Sequence, residues 1–303
     1  MVFIIAVIAS TLRVSTSILF AALGETITEK AGVLNLGIEG TMMFASFIGF
    51  WAAKITNSAM IGLAAAILAG IALGLLMGVL TVTLGLSQHV SGLGVTLLGT
   101  GLALFLYRIA FPDPKLPPTL DVPFPQLNLL AGTALEPIFN QFALTFIAFL
   151  LVPLVWWLLY RTGYGLNIRA CGENPEAADT AGVNVHRIRY SALMIGAALM
   201  GAAGGFLSLA QLNSFTYGIV SGRGWVAIAL VIFGNWNPPR VMIGALLFSA
   251  FQALQLRWQA QGIDLPYWFL LALPYLVTIG ALVLAGRNAS YPSGLLKPYK
   301  REG

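Results

Sequence analysis

Apolar residues run through this chain in long stretches separated by short polar breaks. The candidate membrane helices are Val2–Leu23, Leu36–Ala53, Ala59–Leu86, Val90–Ala110, Gln141–Tyr160, Ser191–Leu212, Trp225–Trp236, Val241–Leu256 and Pro266–Ala285. A bilayer crossing takes about 20 apolar residues, so Trp225–Trp236 is the weak member. Roughly 12 helical residues rise only ~18 Å against a ~30 Å hydrocarbon core. Pro238 and Pro239 then stop it. It is read as a crossing made by a broken helix, continued by Phe215–Gly224. The pattern predicts an all-α, polytopic membrane bundle of about 8–10 transmembrane helices, with residues 1–303 forming one domain.

One polar island interrupts the pattern, from Arg161 to about residue 190. It holds Arg161, Arg169, Arg187 and Arg189 against Glu173, Glu176 and Asp179. Within it, Asn174 suits an N-cap and Pro175 the first helical position. Glu176 falls in the first turn, where the helix dipole favours an acid. Ala177, Ala178 and Ala181 supply a compact face, and Gly182 suits the residue after the helix. These signals predict a surface helix of about two turns. Such an element, kept out of lipid, implies a protein partner.

Composition agrees with a lipid solvent. Apolar residues make up 58% and charged residues 9%, with mean hydropathy +0.85, where a soluble domain carries roughly 25% charged residues. The net charge of +5 does not signal nucleic acid, because the basic residues are scattered or flank apolar spans. Cys171 is the single cysteine, so no intrachain disulfide forms. Met1–Ala9 lacks a basic region before its apolar run, which argues for a retained span rather than a signal peptide. The island and the tail (Arg287, Lys297, Lys300 and Arg301 against Glu302) should both be cytosolic. Counting crossings then puts the Pro-rich, stiff and extended Pro112–Asn140 loop outside, the C-terminus inside and the N-terminus outside.

Ser91-Gly-Leu-Gly and Ser221-Gly-Arg-Gly each open an apolar segment after a Gly/Ala-rich span. On this topology they face opposite sides, as in an inverted repeat. Gly70, Gly74 and Gly78, like Ala197, Gly201 and Gly205, recur every four residues and predict close helix packing. No P-loop, metal-ligand spacing, nucleophile elbow or intramembrane acidic relay is present. No enzyme activity and no cofactor are expected of the chain itself. The remaining polar groups are mostly amides. Gln252 and Gln255 share a helical face with Gln259, Gln211 and Asn213 end a span, and Asn235 with Asn237 flanks Trp236. Amides beside aromatics suit a neutral polyhydroxylated or heterocyclic solute, and they serve equally as interhelical hydrogen bonds. Arg13 is costly within a span. It either pairs with Glu25 or Glu39 or marks a first helix that begins after Val2.

Gly24-Glu25, then Glu29-Lys-Ala-Gly-Val-Leu-Asn-Leu-Gly-Ile-Glu-Gly-Thr-Met-Met43, resembles the signature of permease subunits of ABC importers for nucleosides and simple sugars. Arg169-Ala-Cys-Gly-Glu-Asn-Pro-Glu-Ala-Ala178 and Gly182-Val-Asn184 resemble that family's coupling loop. Lys30 and Ala31 stand where Arg and Ser are common in the signature. The resemblance implies an inverted-repeat permease in a bacterial cytoplasmic (inner) membrane. It implies ATPase coupling through Glu173, Asn174, Pro175, Glu176, Ala177, Ala178 and Gly182. It also implies a cytosolic ATPase that hydrolyses ATP, a second and related permease chain, and an extracytoplasmic solute-binding lipoprotein. Asn35, Glu39, Gln211, Asn213, Trp225, Asn235, Gln252 and Gln255 are the candidate solute-pathway residues. Nucleosides are the favoured solute class and simple sugars the alternative. An ion-driven secondary transporter is the rival of another class.

Overall fold

A computed structural model of the chain describes residues 2–112, 117–130, 132–133, 136–261, 267–285 and 290–299. Arg287, Lys300, Arg301 and Glu302 of the tail, with Asp113, Pro114 and Asp264, lie outside them.

Each predicted apolar stretch is a helix. In order they are α1 (Val2–Lys30), α2 (Ile38–Thr56), α3 (Ala59–Gly78), α4 (Gln88–Ala110), α5 (Glu136–Phe139), α6 (Ala143–Arg161), α7 (Gly163–Glu173), α8 (Pro175–Thr180), α9 (Val185–Phe206), α10 (Arg223–Phe233), α11 (Pro238–Ala260) and α12 (Tyr267–Ala285). Single π-helical turns, Val79–Thr83 and Leu207–Gln211, extend α3 and α9. Among the described residues six helices are long and apolar enough to cross a membrane: Phe3–Lys30, Ala59–Thr83, Gln88–Ala110, Ala143–Arg161, Val185–Gln211 and Pro238–Ala260. The molecule is a multi-pass helical membrane bundle.

α1 is its centre and touches α6, α9, α10 and α11. It runs a further two turns beyond Leu23, through Gly-Glu-Thr-Ile-Thr-Glu-Lys. Those polar residues stay helical because the bundle encloses them and satisfies them locally. Thr26 Oγ1 donates to the Ala22 carbonyl (2.7 Å) and Thr28 Oγ1 to the Glu25 carbonyl (3.0 Å).

The Gly/Ala spans pack as their spacing predicts. Gly70 faces Ala197 and Gly201, Gly74 faces Leu193 and Ala197, and Gly78 faces Tyr190. Rising numbers on α3 meet falling numbers on α9, so the two helices cross antiparallel. A Cβ on Gly201 would sit 2.5 Å from the Ala66 carbonyl oxygen. Gly201→Val should therefore destabilise the bundle by about 1–3 kcal/mol through overpacking. A thermal-unfolding midpoint in detergent equal to that of the unsubstituted chain would contradict this contact.

Opposite the island, the Pro-rich connection is folded rather than merely extended. β1 (Gln126–Asn128) and β2 (Asn140–Phe142) form an antiparallel pair with Gln126 opposite Phe142. Leu120 and Asn213 exchange hydrogen bonds: Leu120 N–H donates to the Asn213 carbonyl (3.1 Å), and Asn213 Nδ2 donates to the Leu120 carbonyl (3.1 Å). Lys54 ties the end of α2 to Asp121 (2.7 Å) and the Thr119 carbonyl (3.0 Å). Residues far apart in sequence can satisfy this loop's backbone, and local Pro content cannot reveal that.

Arg13 pairs with neither Glu25 nor Glu39, and α1 already begins at Val2. Twelve residues separate Arg13 from Glu25 along one helix, about 18 Å. Its guanidinium instead reaches Gln141 Oε1 (3.3 Å) and the Asn140 carbonyl (3.4 Å), and lies over the Phe142 ring.

Candidate functional site

The link between α1 and α2 carries a connected polar network. Gly32 takes φ +87°, the left-handed region that favours glycine. Glu25, fully buried on α1, accepts the Asn35 backbone N–H (2.8 Å) and the Thr28 hydroxyl (3.0 Å). Asn35 Oδ1 in turn accepts the Gly37 N–H (3.0 Å) and sets up the start of α2. Gln88, at the start of α4, bridges the link from the side. Its Oε1 accepts Leu34 N–H (2.8 Å) and its Nε2 donates to the Gly32 carbonyl (3.1 Å). Thr96 Oγ1 donates to the Leu36 carbonyl (2.8 Å). A buried, non-helical backbone is stable in a membrane bundle only when its groups are satisfied this way.

Both Ser-Gly-x-Gly segments press on this link. A Cβ on Gly92 would lie 2.7 Å from Leu36 Cβ, and one on Gly224 would lie 2.7 Å from Glu39 Oε2. Gly224 belongs to α10, a half-helix of 11 residues. After α9 the chain turns back through Phe215, which is fully buried against Phe47 (5.3 Å) and Tyr107 (5.2 Å). α10 then starts inside the bundle, with its first N–H groups held by a carboxylate from another helix. Glu39 Oε1 accepts Gly222 N–H (2.8 Å) and Oε2 accepts Gly224 N–H (2.8 Å). The far end of α10 is held by the same link region. Trp236 Nε1 donates to Glu29 Oε2, and the Tyr160 hydroxyl to the Trp236 carbonyl (3.4 Å). Asn235 and Trp236 both have positive φ (51° and 53°), which costs a non-glycine residue about 1–3 kcal/mol and persists only where tertiary contacts impose it. The broken seventh span predicted from the sequence is thus a half-helix clamped at both ends by signature glutamates.

On the island face, α8 forms as its cap signals predict. Asn174 Oδ1 accepts Ala177 N–H (3.0 Å), Pro175 opens the helix, and Gly182 follows it at φ +86°. Gly182 N–H donates to Asp179 O (2.9 Å) and Val183 N–H to Ala178 O (3.0 Å), which close the helix end. The three alanines do not share a face. Ala178 is buried with Cys171 and Val185, whereas Ala177 and Ala181 are exposed with Glu173 and Glu176. Burial pushes the Cys171 thiol pKa up, consistent with its role as packing.

Sequence reasoning missed α7, although Thr162 caps it by accepting Gly165 N–H (3.0 Å). It also missed the return of the tail onto the island. Gly294 N–H donates to the Gly172 carbonyl (2.8 Å) and Ser293 N–H to Glu173 Oε2 (3.2 Å). Glu173, Asn174, Pro175 and Glu176 line an open cleft of about 600 Å³ against Lys297 and Tyr299. Arg189 is no loop charge: it is 1% exposed. Its Nε donates to the Ala31 carbonyl and its Nη1 to the Lys297 carbonyl, both at 3.3 Å. One buried guanidinium therefore ties the signature link to the segment that braces α8.

The candidate pathway residues do not converge. Asn35 and Glu39 serve backbone groups of the link and of α10. Gln211 and Asn213 lie at the face opposite the island. Asn235 lies on the island face, where its Oδ1 accepts Ser290 N–H (3.0 Å). Trp225 is 40% exposed beside the start of α10, and Gln255 is buried on α11. The carbonyl oxygens of Gln211 and Gln252 are buried without a hydrogen-bond partner among the described residues.

The profile of a family described as the permease component of branched-chain amino acid transport systems matches residues 7–282. The chain is 38% identical to a putative glucose ABC transporter permease of Haloferax volcanii, over 97% of each chain. It is 31% identical to a nucleoside ABC transporter permease of Lactococcus lactis, over 92% of this chain and 91% of that one. It is 30% identical to a guanosine ABC transporter permease of Bacillus subtilis, over 97% and 96%. No solved structure matches it.

Proposed function

The chain belongs to the family of permease components of branched-chain amino acid transport systems, and on that premise we propose that it is the membrane subunit of an ATP-driven importer of nucleosides. The observation that carries this reading is α8: a capped helix with an exposed face, on a chain with no ATP site of its own. A cytosolic ATPase docks on Ala177, Ala181 and their acidic neighbours Glu173 and Glu176. The island and tail then face the cytosol, and the Lys54–Asp121 side faces out towards a solute-binding protein. A second, related permease chain completes the transmembrane unit. The nucleoside assignment rests on relatives at 30–31% identity that are named for nucleoside and guanosine transport. The relative at 38% identity named for glucose favours the second reading, a simple sugar.

The repeat relation is supported by more than the two Ser-Gly-x-Gly matches. α3 and α9 cross antiparallel, each ends in a π-helical turn, and each is followed by one of these segments. On this reading the halves rock around the shared α1–α2 link, as in transporters built from inverted repeats. The amides of Gln211, Asn213, Gln252 and Gln255, with Trp225, lie along the path of the solute.

The test is uptake of labelled guanosine and glucose by proteoliposomes that hold the complete transporter. Saturable, ATP-dependent guanosine uptake is the expected result. ATP-dependent uptake of glucose alone would replace the solute class. Uptake that persists without the ATPase subunit would replace the mechanism with an ion-driven one.

Arg189 supplies a separate prediction. If it transmits motion from α8 and the tail to the link, Arg189→Met should lower solute moved per ATP hydrolysed by about tenfold, the scale of one charge-assisted hydrogen bond. Arg189→Lys should recover part of it. Both are read as the ratio of uptake to hydrolysis in assembled complexes, and an unchanged ratio in Arg189→Met would remove Arg189 from the coupling route.

A further inference from the structure

Glu25 and Glu29 stand one turn apart on α1, and neither side chain reaches water: Glu25 is 0% exposed and Glu29 1%. Their (i, i+4) spacing puts the two Cβ atoms about 5–6 Å apart on one helical face. The two carboxyl groups are within hydrogen-bonding reach of each other. Ionised carboxylates only accept hydrogen bonds. A hydrogen bond between two of them therefore requires a proton on one.

The surrounding donors show which group is short of a partner. Glu25 accepts the Asn35 N–H on Oε1 and the Thr28 hydroxyl on Oε2. Glu29 accepts the Trp236 Nε1–H on Oε2, but its Oε1 is buried with no hydrogen-bond partner among the described residues. As part of a carboxylate, an oxygen so placed carries a large desolvation cost. A proton on this carboxyl turns it into a donor, and the Glu25 carboxylate, with lone pairs to spare, is within its reach.

Nearby cations are engaged elsewhere. Lys30 is the next residue, but consecutive residues of a helix do not face each other, and its charge also acts on Glu173. Arg169 Nε donates to the Leu159 carbonyl (2.9 Å), and its guanidinium lies over the Tyr160 ring. Arg189 donates to the Ala31 and Lys297 carbonyls. No ion pair to either glutamate is present among the described residues. Two negative charges this close and both out of water repel, and carboxylates that share such a site keep one proton between them.

We propose that Glu25 and Glu29 bind a single proton, forming a carboxylic acid–carboxylate pair in which the Glu29 carboxyl donates to Glu25. The pair joins two parts of the bundle. Glu25 holds the α1–α2 link through Asn35, and Glu29 holds the end of α10 through Trp236. The proton closes a chain of hydrogen bonds from the link to the half-helix, which ionisation of both residues would break.

The test is infrared spectroscopy of the purified transporter complex at neutral pH, which separates the carbonyl stretch of a protonated carboxyl from the bands of carboxylates and amides. The unsubstituted complex should show such a band, and it should shift in heavy water. Glu25→Gln and Glu29→Gln should each abolish it, because a glutamine amide donates to the remaining carboxylate without a shared proton. Glu136→Gln, on the opposite face, should leave it intact. Absence of the band from the unsubstituted complex would overturn the proposal, whether or not the variants fold. In that case a melting temperature that falls when sodium and potassium are replaced by choline would give the site to a metal cation. A band that appears only in Arg287→Gln would give the neutralising charge to Arg287 of the tail. A band that survives in either glutamine variant would also overturn the proposal, because the proton would then not be shared by the two residues.

Discussion

Ala177→Arg should abolish ATP-driven uptake while leaving the permease folded. Ala177 is exposed on the first turn of α8, and its backbone N–H, which donates to Asn174 Oδ1, is unaffected by the substitution. An exposed helical site tolerates arginine to within about 0.5 kcal/mol of stability. At the centre of a docking surface the same side chain displaces the partner, and losses of 2 kcal/mol or more are usual at such positions, roughly a 30-fold fall in affinity. The readouts are co-purification of the ATPase with the permease and uptake by the reconstituted complex. Normal values of both would show that α8 is not the contact.

The neighbouring substitution Ala178→Arg behaves differently. Ala178 is 4% exposed and packs on Cys171 and Val185. A guanidinium there would be buried without a partner and should cost several kcal/mol. Lost uptake in that variant would report a displaced helix rather than a blocked contact. The pair therefore separates docking from folding: Ala177→Arg loses the partner with an unchanged melting temperature, and Ala178→Arg lowers the melting temperature as well.

The second large effect is expected at Glu39. Its two carboxylate oxygens hold the Gly222 and Gly224 N–H groups at the start of α10, each at 2.8 Å. Hydrogen bonds to a charged group contribute about 1.5–3 kcal/mol each, and an unsatisfied N–H within a membrane costs several kcal/mol. Glu39→Ala should thus destabilise the half-helix by roughly 3 kcal/mol or more, enough to unseat a segment of 11 residues. Glu39→Gln keeps one acceptor but loses the negative charge that favours a helix N-terminus, so an intermediate loss is expected. Glu39→Asp, one methylene shorter, should fall below Glu39→Gln in stability because the two N–H groups pass out of reach. Uptake and detergent melting temperature, measured across the three variants with ATPase co-purification as the control for assembly, give the ranking. Uptake by Glu39→Ala equal to that of the unsubstituted chain would show that the cap of α10 has no part in transport.

Much of this protein was legible in one dimension because the governing rules are local. Bilayer thickness sets how long an apolar run must be, so each of the nine apolar stretches appears as a helix. Capping chemistry acts within four residues, so Asn174, Pro175 and Gly182 bounded α8 correctly from their own identities. Small residues at four-residue spacing announced a close crossing, and α3 against α9 is that crossing. The signature Glu29–Met43 and the loop Arg169–Asn184 carried the family resemblance, and the family match over residues 7–282 agrees with it.

What escaped the sequence was every relation between distant residues. Glu39 reads as a polar residue in a span and a candidate for the solute path. Its partners lie more than 180 positions away, and only the packed bundle brings them to it. Arg189 reads as one more positive charge on a cytosolic loop, yet it is buried between the link and the tail. Arg13 seemed to call for a carboxylate, Glu25 or Glu39, but Glu25 is out of reach along the same helix and Glu39 on α2 is engaged with the start of α10. Apolar periodicity, caps and small-residue spacing are one-dimensional constraints of the bilayer and the helix, and by themselves they determined the class of protein, its apolar helices and its capped surface helix. Which face of α8 points outward, which glutamate clamps α10 and which arginine crosses the bundle were decided by the tertiary structure, because burial and hydrogen-bond geometry depend on neighbours that the order of residues does not specify.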